Sequence, residues 1–187
     1  MRKVKFYVVG GDRPGEIKKP WLTEEQERMR RMTSVLTTAD TFPICEGKIV
    51  AVWRTLEPMA NRWLTIGGAM KVGESPQEAA ARLFKGDTGL ERKPEDFRFI
   101  ANEDGLPDQF LMLVKNPAGD YWRQDTGLYF SLVVAPEELS RFKLDPKEYS
   151  QKLGLFSFEE VLEKVAKGEL EDLFARYARF LRRDGLL

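Results

Sequence analysis

The chain has 187 residues, 42% of them hydrophobic, and its 30 basic side chains balance its 30 acidic ones. That is enough apolar material for one packed core, and a zero net charge offers no global field to draw the chain to nucleic acid or an anionic membrane, so an anionic ligand must be gathered by a local cluster. With no histidine and Cys45 as the lone cysteine, the chain can form neither an internal disulfide nor a multi-cysteine metal site, and proton transfer falls to carboxylates, Lys, Tyr or metal-bound water.

In chain order, residues 5–9 read as a short strand, followed by a loop at Gly10-Gly11-Asp12-Arg13-Pro14-Gly15. Its apolar run is too short for a signal peptide and no later run approaches the ~20 residues of a membrane span, so the expectation is a cytoplasmic protein. Thr23 and Gln26 form a capping-box start for a charged helix to about Met32. Residues 48–54 and 63–66 are β-branched and aromatic, as strands are, and the second run ends at Gly67-Gly68. Ser75-Pro76-Gln77-Glu78 predicts a helix start, with Ser as N-cap, Pro at the first position and Glu closing a capping box, and Gly89 predicts its stop. Residues 97–102, 109–115 and 127–135 read as three further strands. Residues 156–167 and 170–182 read as helices, the second carrying Leu170, Leu173, Phe174, Tyr177 and Leu181 on one stripe. The order is α/β: strands before and after one central helix, closed by helices. We expect one domain over 1–187, with a strand and helix extension over 1–40, a core over 41–167 and a C-terminal helix over 168–187.

The stretch from Gly67 to Leu90 carries the strongest pattern. Gly68 is followed after five residues by Glu74, after seven more by Arg82, and the segment closes at Gly89-Leu90. This frame resembles the Nudix box, G-x5-E-x7-R-E-U-x-E-E-x-G-U with U aliphatic. Three clustered glutamates hold metal ions on one helix face in that family; here the same positions are Leu83, Gly86 and Asp87. The resemblance implies an α/β/α sandwich with a mixed sheet, a short N-terminal extension and a C-terminal helix. The form Arg82-Leu83-x-x-Gly86-Asp87-x-Gly89-Leu90 is similar to the box of the GDP-mannose mannosyl hydrolases, a Nudix branch that keeps one metal and cleaves at the sugar carbon, and the likeness extends over about residues 33–165. Three departures stand out: Ile66 replaces the usual proline, Ala69 replaces an arginine, and no histidine lies near Tyr149 and Ser150, where that branch has its general base.

What the resemblance implies is a divergent hydrolase of a nucleoside diphosphate derivative, a nucleotide sugar first among them, working with Mg²⁺ or Mn²⁺. Metal-ligand candidates are Asp87, Gly68 through its carbonyl, and Glu74, which alternatively pairs with Arg82 or with the helix N-terminus. A single Mg²⁺ can bind through one or two carboxylates plus substrate phosphates. Replacing Glu by Asp draws the carboxylate back by about 1.5 Å, large beside a Mg–O bond of about 2.1 Å. Glu103 and Glu148 are candidate bases, with Asp104 and Asp108 as weaker ones, and Arg82 supplies structural or electrostatic support. Arg54 and Arg62 are candidates to clamp the diphosphate, beside the Gly67 and Gly68 turn. Trp53, Trp63 and Trp122 offer rings for base stacking or for the core. Gly86, inside a helix at a cost of about 1 kcal/mol, calls for the close approach of a ligand or of a neighbouring loop, or for drift after loss of catalysis. A nucleotide-binding module without catalysis is the alternative function. A scaffold using the N-terminal helix and the C-terminal stripe as a homodimer surface is the third.

Overall fold

A computed structural model describes residue 25 and residues 35–57, 59–115 and 122–187, by backbone alone over 110–115 and 122–123. The strand expected over 5–9 and, apart from the helical Glu25, the helix expected over 23–32 lie outside the described residues. Eight strands form one mixed sheet: β1 (Leu36–Cys45), β2 (Lys48–Arg54), β3 (Arg62–Leu64), β4 (Ile66–Ala69), β5 (Arg98–Phe99), β6 (Gln109–Lys115), β7 (Trp122–Val133) and β8 (Tyr149–Phe156). Among the described residues after Glu25, the helices are α1 (Pro76–Thr88), α2 (Pro136–Leu139), α3 (Phe158–Ala166) and α4 (Asp172–Arg183). No helix among the described residues is long and apolar enough to cross a membrane.

The centre of the sheet is β1, which the sequence pattern did not reveal. It runs parallel to β7 from Leu36 to Ile44, while its other side passes from β4, paired at Thr38 to Thr41, to β2, paired at Ile44 and Cys45. Pro43 has no N–H to give to a ladder, and it falls in the gap between those two partners. Both faces of β1 are covered, so Ala39 and Phe42, pointing opposite ways, are both fully buried.

Each face of the sheet has its own core. Ala79, Ala80 and Phe84 of α1 pack on Val50, Val52, Ile66, Phe97 and Phe130. On the other face Phe174, Tyr177 and Leu181 of α4, with Val161 of α3, pack on Phe42, Ile44, Ile49, Ala51 and Tyr129. This is the α/β/α sandwich. The stripe Leu170, Leu173, Phe174, Tyr177, Leu181 is thus buried against the chain's own sheet, and the expectation that it offers a homodimer surface is corrected.

Several boundaries differ for physical reasons. The run 63–66 divides at Thr65 into β3 on β2 and β4 on β1. The strand expected over 97–102 shrinks to β5 and a single bridge at Ala101, because Phe97 closes a 3-10 turn and Asn102 enters a turn. The expected strand 127–135 begins at Trp122 and ends at Val133, where Val134 and Ala135 lead into α2. Phe156 ends β8 rather than starting a helix, since Ser157 is the N-cap of α3 with Glu160 closing its capping box.

Candidate functional site

The bend before α1 is built as the sequence dictates. Ser75 Oγ accepts the Glu78 N–H at 3.3 Å, Glu78 accepts the Ser75 N–H at 2.7 Å, and Gly89 ends the helix at φ 74, its N–H donating to the Lys85 carbonyl. Arg82 Nε donates to both oxygens of Glu74 at 3.1 Å, its Nη2 donates to Glu74 Oε2 at 3.0 Å and to the Ala69 carbonyl at 3.1 Å, and the Lys71 N–H adds a bond to Glu74 Oε1 at 3.0 Å. Of the two pairings open to Glu74, the one with Arg82 is formed. Both its oxygens are engaged in holding the bend, and Arg82 is its partner in that bridge.

Gly67 lies opposite Asp40 on the β1–β4 ladder, and a Cβ there would stand 2.4 Å from Asp40 Oδ1. Only glycine fits. At Gly68 a Cβ would come within 3.3 Å of Leu83 Cδ2, so the first of the lost acid positions presents an apolar side chain to the turn. Gly86 is exposed, and a Cβ there would meet nothing within 4 Å. No loop of the described chain presses on it, which removes that explanation for the glycine.

Asp87 is the acid that remains. Tyr149 Oη donates to its Oδ2 at 3.4 Å, and Arg54 Nη1 bridges to Glu148 Oε2 at 2.9 Å beside it. Burial, reinforced by the Glu148 charge, pushes the Asp87 carboxyl up to about 7, against the opposing pull of the Tyr149 hydrogen bond and the Arg54 cation. A β-bulge between Val52 and Arg54 brings Arg54 opposite Tyr149, with the guanidinium 5.9 Å from the ring centre. The Thr55 N–H and Oγ1 both donate to the Glu148 carbonyl, at 2.8 and 3.1 Å, and Arg54 Nε donates to the Leu56 carbonyl at 2.9 Å. Strand β2, the start of β8 and the last turn of α1 therefore converge on one spot.

The other sequence candidates are placed elsewhere. Glu103 is exposed in a turn near Arg183 and is not among the groups acting on Asp87. Asp104 is likewise exposed in that turn. Arg62 faces Arg54 across the β2–β3 ladder, yet its Nη1 is bonded to Glu171 at the start of α4. Asp108 is 4% exposed and held by Arg176 at 2.9 and 2.7 Å, and this ion pair keeps its carboxyl below the usual carboxylate range. Trp53 and Trp63 meet edge to face at 5.1 Å, Trp63 meets Phe156 in the same way at 5.4 Å, and Lys152 Nζ lies 5.0 Å from each indole. The side chain of Trp122 lies outside the described residues.

Asp40 and Tyr149 were not among the sequence candidates. The signal for Asp40 was an acid at the spacing of two that Phe42 and Ile44 continue along β1. Burial drives its carboxyl up to about 7, with Asp125 adding to the rise and a bond from Thr38 Oγ1 opposing it. The folded-state value lies above the ordinary one, so the folded chain binds the proton more tightly, and stability is lost as pH rises from about 4 to about 7. Asp87 contributes in the same direction. Asp40→Asn is expected to remove its share of that slope, roughly 3–4 kcal/mol between those limits, measured as urea unfolding free energy at a series of pH values. A variant with an unchanged slope refutes the assignment.

Among the described residues no three Cys, Asp or Glu side chains converge as a metal-holding group. Asp87 with Glu148 supplies hard oxygen donors in too small a number for a metal cage, a set that suits Mg²⁺ only when a ligand's phosphates and water complete its shell.

Residues 35–177 match the family described as NUDIX domain. No curated protein matches the chain significantly in sequence. Among solved structures, a MutT protein from Methanosarcina mazei Go1 superposes with a TM-score of 0.60 at 19% identity, over 80% of this chain and 95% of that one. The NUDIX domain of Shewanella oneidensis NrtR, complexed with ADP ribose, superposes at 0.56 and 13% identity over 87% and 98%. A C. elegans Ap4A hydrolase in a binary complex does so at 0.54 and 14% over 80% and 97%. The chain also spans 44% of the length of a MutT/nudix family protein from Enterococcus faecalis. These likenesses show the fold, and with the box frame and the family match over residues 35–177 they establish that the chain belongs to the Nudix family.

Proposed function

We propose that the chain is a divergent Nudix hydrolase of a nucleoside diphosphate derivative, with nucleotide sugars as its first substrate class and Mg²⁺ or Mn²⁺ as its cofactor. The observation that carries this reading is the meeting of Asp87 with Glu148 and Arg54 at the end of the box helix. Asp87 and the Gly68 carbonyl are the groups we assign to the ion, whose chemistry when bound is to neutralise phosphate charge and polarise the leaving group. Arg54 binds the diphosphate, for which its planar fork is suited. Glu148 meets Arg54 through Oε2, and among the described residues no bond engages Oε1, the oxygen that accepts a proton from the attacking water. Glu74 and Arg82 keep the bend in shape. The ADP ribose and Ap4A in the names of two structural neighbours support a nucleotide derivative as ligand.

The test is hydrolysis of a panel of nucleotide sugars by highly purified protein with Mg²⁺, where we expect turnover that chelation abolishes. A second reading, a nucleotide or nucleotide-sugar binding module without catalysis, is favoured by Leu83 and Gly86, which supply no carboxylate to the box face. Under it the same compounds raise the melting temperature and are recovered intact. Neither turnover nor thermal stabilisation by any of them defeats both readings.

A further inference from the structure

We propose that Tyr149 is the positioning residue of this site, a role that rests on the reading of Asp87 and Arg54 given above. With leucine and glycine at the two other acid positions, α1 has no polar group on that face to orient Asp87, and the hydroxyl that does so comes from β8. At 3.4 Å this bond is longer than an ordinary O–H···O hydrogen bond, as contacts in a site without its ligand often are.

Tyr149 is itself held firmly. It is 3% exposed and belongs to the core beneath α1. Its N–H donates to the Asp145 carbonyl at 2.9 Å, the Asp145 N–H donates to the Asp87 carbonyl at 3.2 Å, and the Lys143 N–H donates to the Thr88 carbonyl at 2.9 Å. The segment leading into β8 is thereby bonded through its backbone to the last turn of the box helix. Its ring meanwhile lies beneath the guanidinium of Arg54. One buried side chain thus sets the acid through its hydroxyl and the clamp through its ring, and the peptide bond before it carries Glu148.

Two variants separate these parts. Tyr149→Phe keeps the ring, so we expect kcat to fall about tenfold with KM unchanged, as for the loss of a group that orients a ligand. Tyr149→Leu removes the ring as well, and KM is expected to rise several-fold on top of that loss. Affinity for Mn²⁺ in the presence of GDP, read by electron paramagnetic resonance, is expected to weaken about tenfold in Tyr149→Phe. This measurement does not require turnover, so it judges the proposal even if the wild type hydrolyses none of the panel. A Tyr149→Phe protein with wild-type Mn²⁺ affinity and wild-type kcat overturns the role. A Tyr149→Phe protein that loses both together with more than a few degrees of melting temperature points to a merely structural tyrosine and overturns it as well.

Discussion

Asp87→Ala is expected to lower kcat/KM for the best nucleotide sugar by about 100-fold or more, while leaving the fold intact. The size follows from the lack of any substitute. A box with three acids can lose one and retain a partial ligand set, but here the other two positions are Leu83 and Gly86. Removing the last carboxylate of the box, the one assigned to the ion that neutralises phosphate charge, costs at least what an outer partner would, and outer partners alone are worth 10- to 100-fold. The stability side has the opposite character. Burial beside Glu148 pushes the Asp87 carboxyl up to about 7, so near neutral pH the folded chain carries an ionisation that its surroundings resist. Alanine relieves that burden and forfeits one long bond to Tyr149. Melting temperature at pH 8 is therefore expected to hold or rise as activity collapses, a combination that misfolding cannot produce. Steady-state kinetics with calorimetry on the same samples check both halves, and equal turnover in variant and wild type would remove Asp87 from the site.

Much of this arrangement was legible locally, and what was not depended on distance along the chain. The helix start at Ser75, Pro76 and Glu78 and its stop at Gly89 came out as read, because caps are short-range geometry. The strands over 48–54 and 109–115 match to the residue, for each is a continuous run of apolar, aromatic or β-branched residues between polar ends. Strand β1 was hidden because its central place is set by its partners: Thr38, Asp40 and Pro43 look like loop residues until β7, β4 and β2 surround them. Strand β8 was hidden for a similar reason. Ser150, Gln151 and Lys152 carry no apolar period, and Gly154 is there to make room, since a Cβ on it would stand 2.4 Å from the Phe156 ring.

The site divides in the same way. The Glu74 to Arg82 bridge spans two turns of one helix and its lead-in, and it was one of the pairings the sequence left open for Glu74. Choosing Glu148 over Glu103 as neighbour of Asp87 required the β2–β8 register and its bulge, which no local pattern encodes. The contact between Tyr149 and Asp87 joins residues 62 apart and had no sequence signal beyond the position itself.

The burial of the C-terminal helix makes a prediction as large as that for the acid. Phe174→Ala is expected to destabilise the protein by 3–5 kcal/mol, the usual cost of removing a buried aromatic ring. Phe174 is 0% exposed and meets Phe42 of the central strand edge to face at 5.4 Å, while Tyr177 one turn on stacks at 4.2 Å against Tyr129. For a chain of this length, 1 kcal/mol corresponds to about 2–4 °C, so a fall in melting temperature of roughly 10 °C is expected. Arg179→Ala, on the exposed side of the same helix, serves as the contrast and should stay within about 0.5 kcal/mol. The shape of the transition matters as much as its position. A helix that merely extends a finished core would melt by itself, giving two transitions and a site that outlives the first. A helix that forms one wall of the core must unfold with the sheet, and because Phe42 lies on the same strand as Asp40, its loss is transmitted to the ladder that seats Gly67. One cooperative transition, displaced as a whole in Phe174→Ala, is the result that follows from this packing.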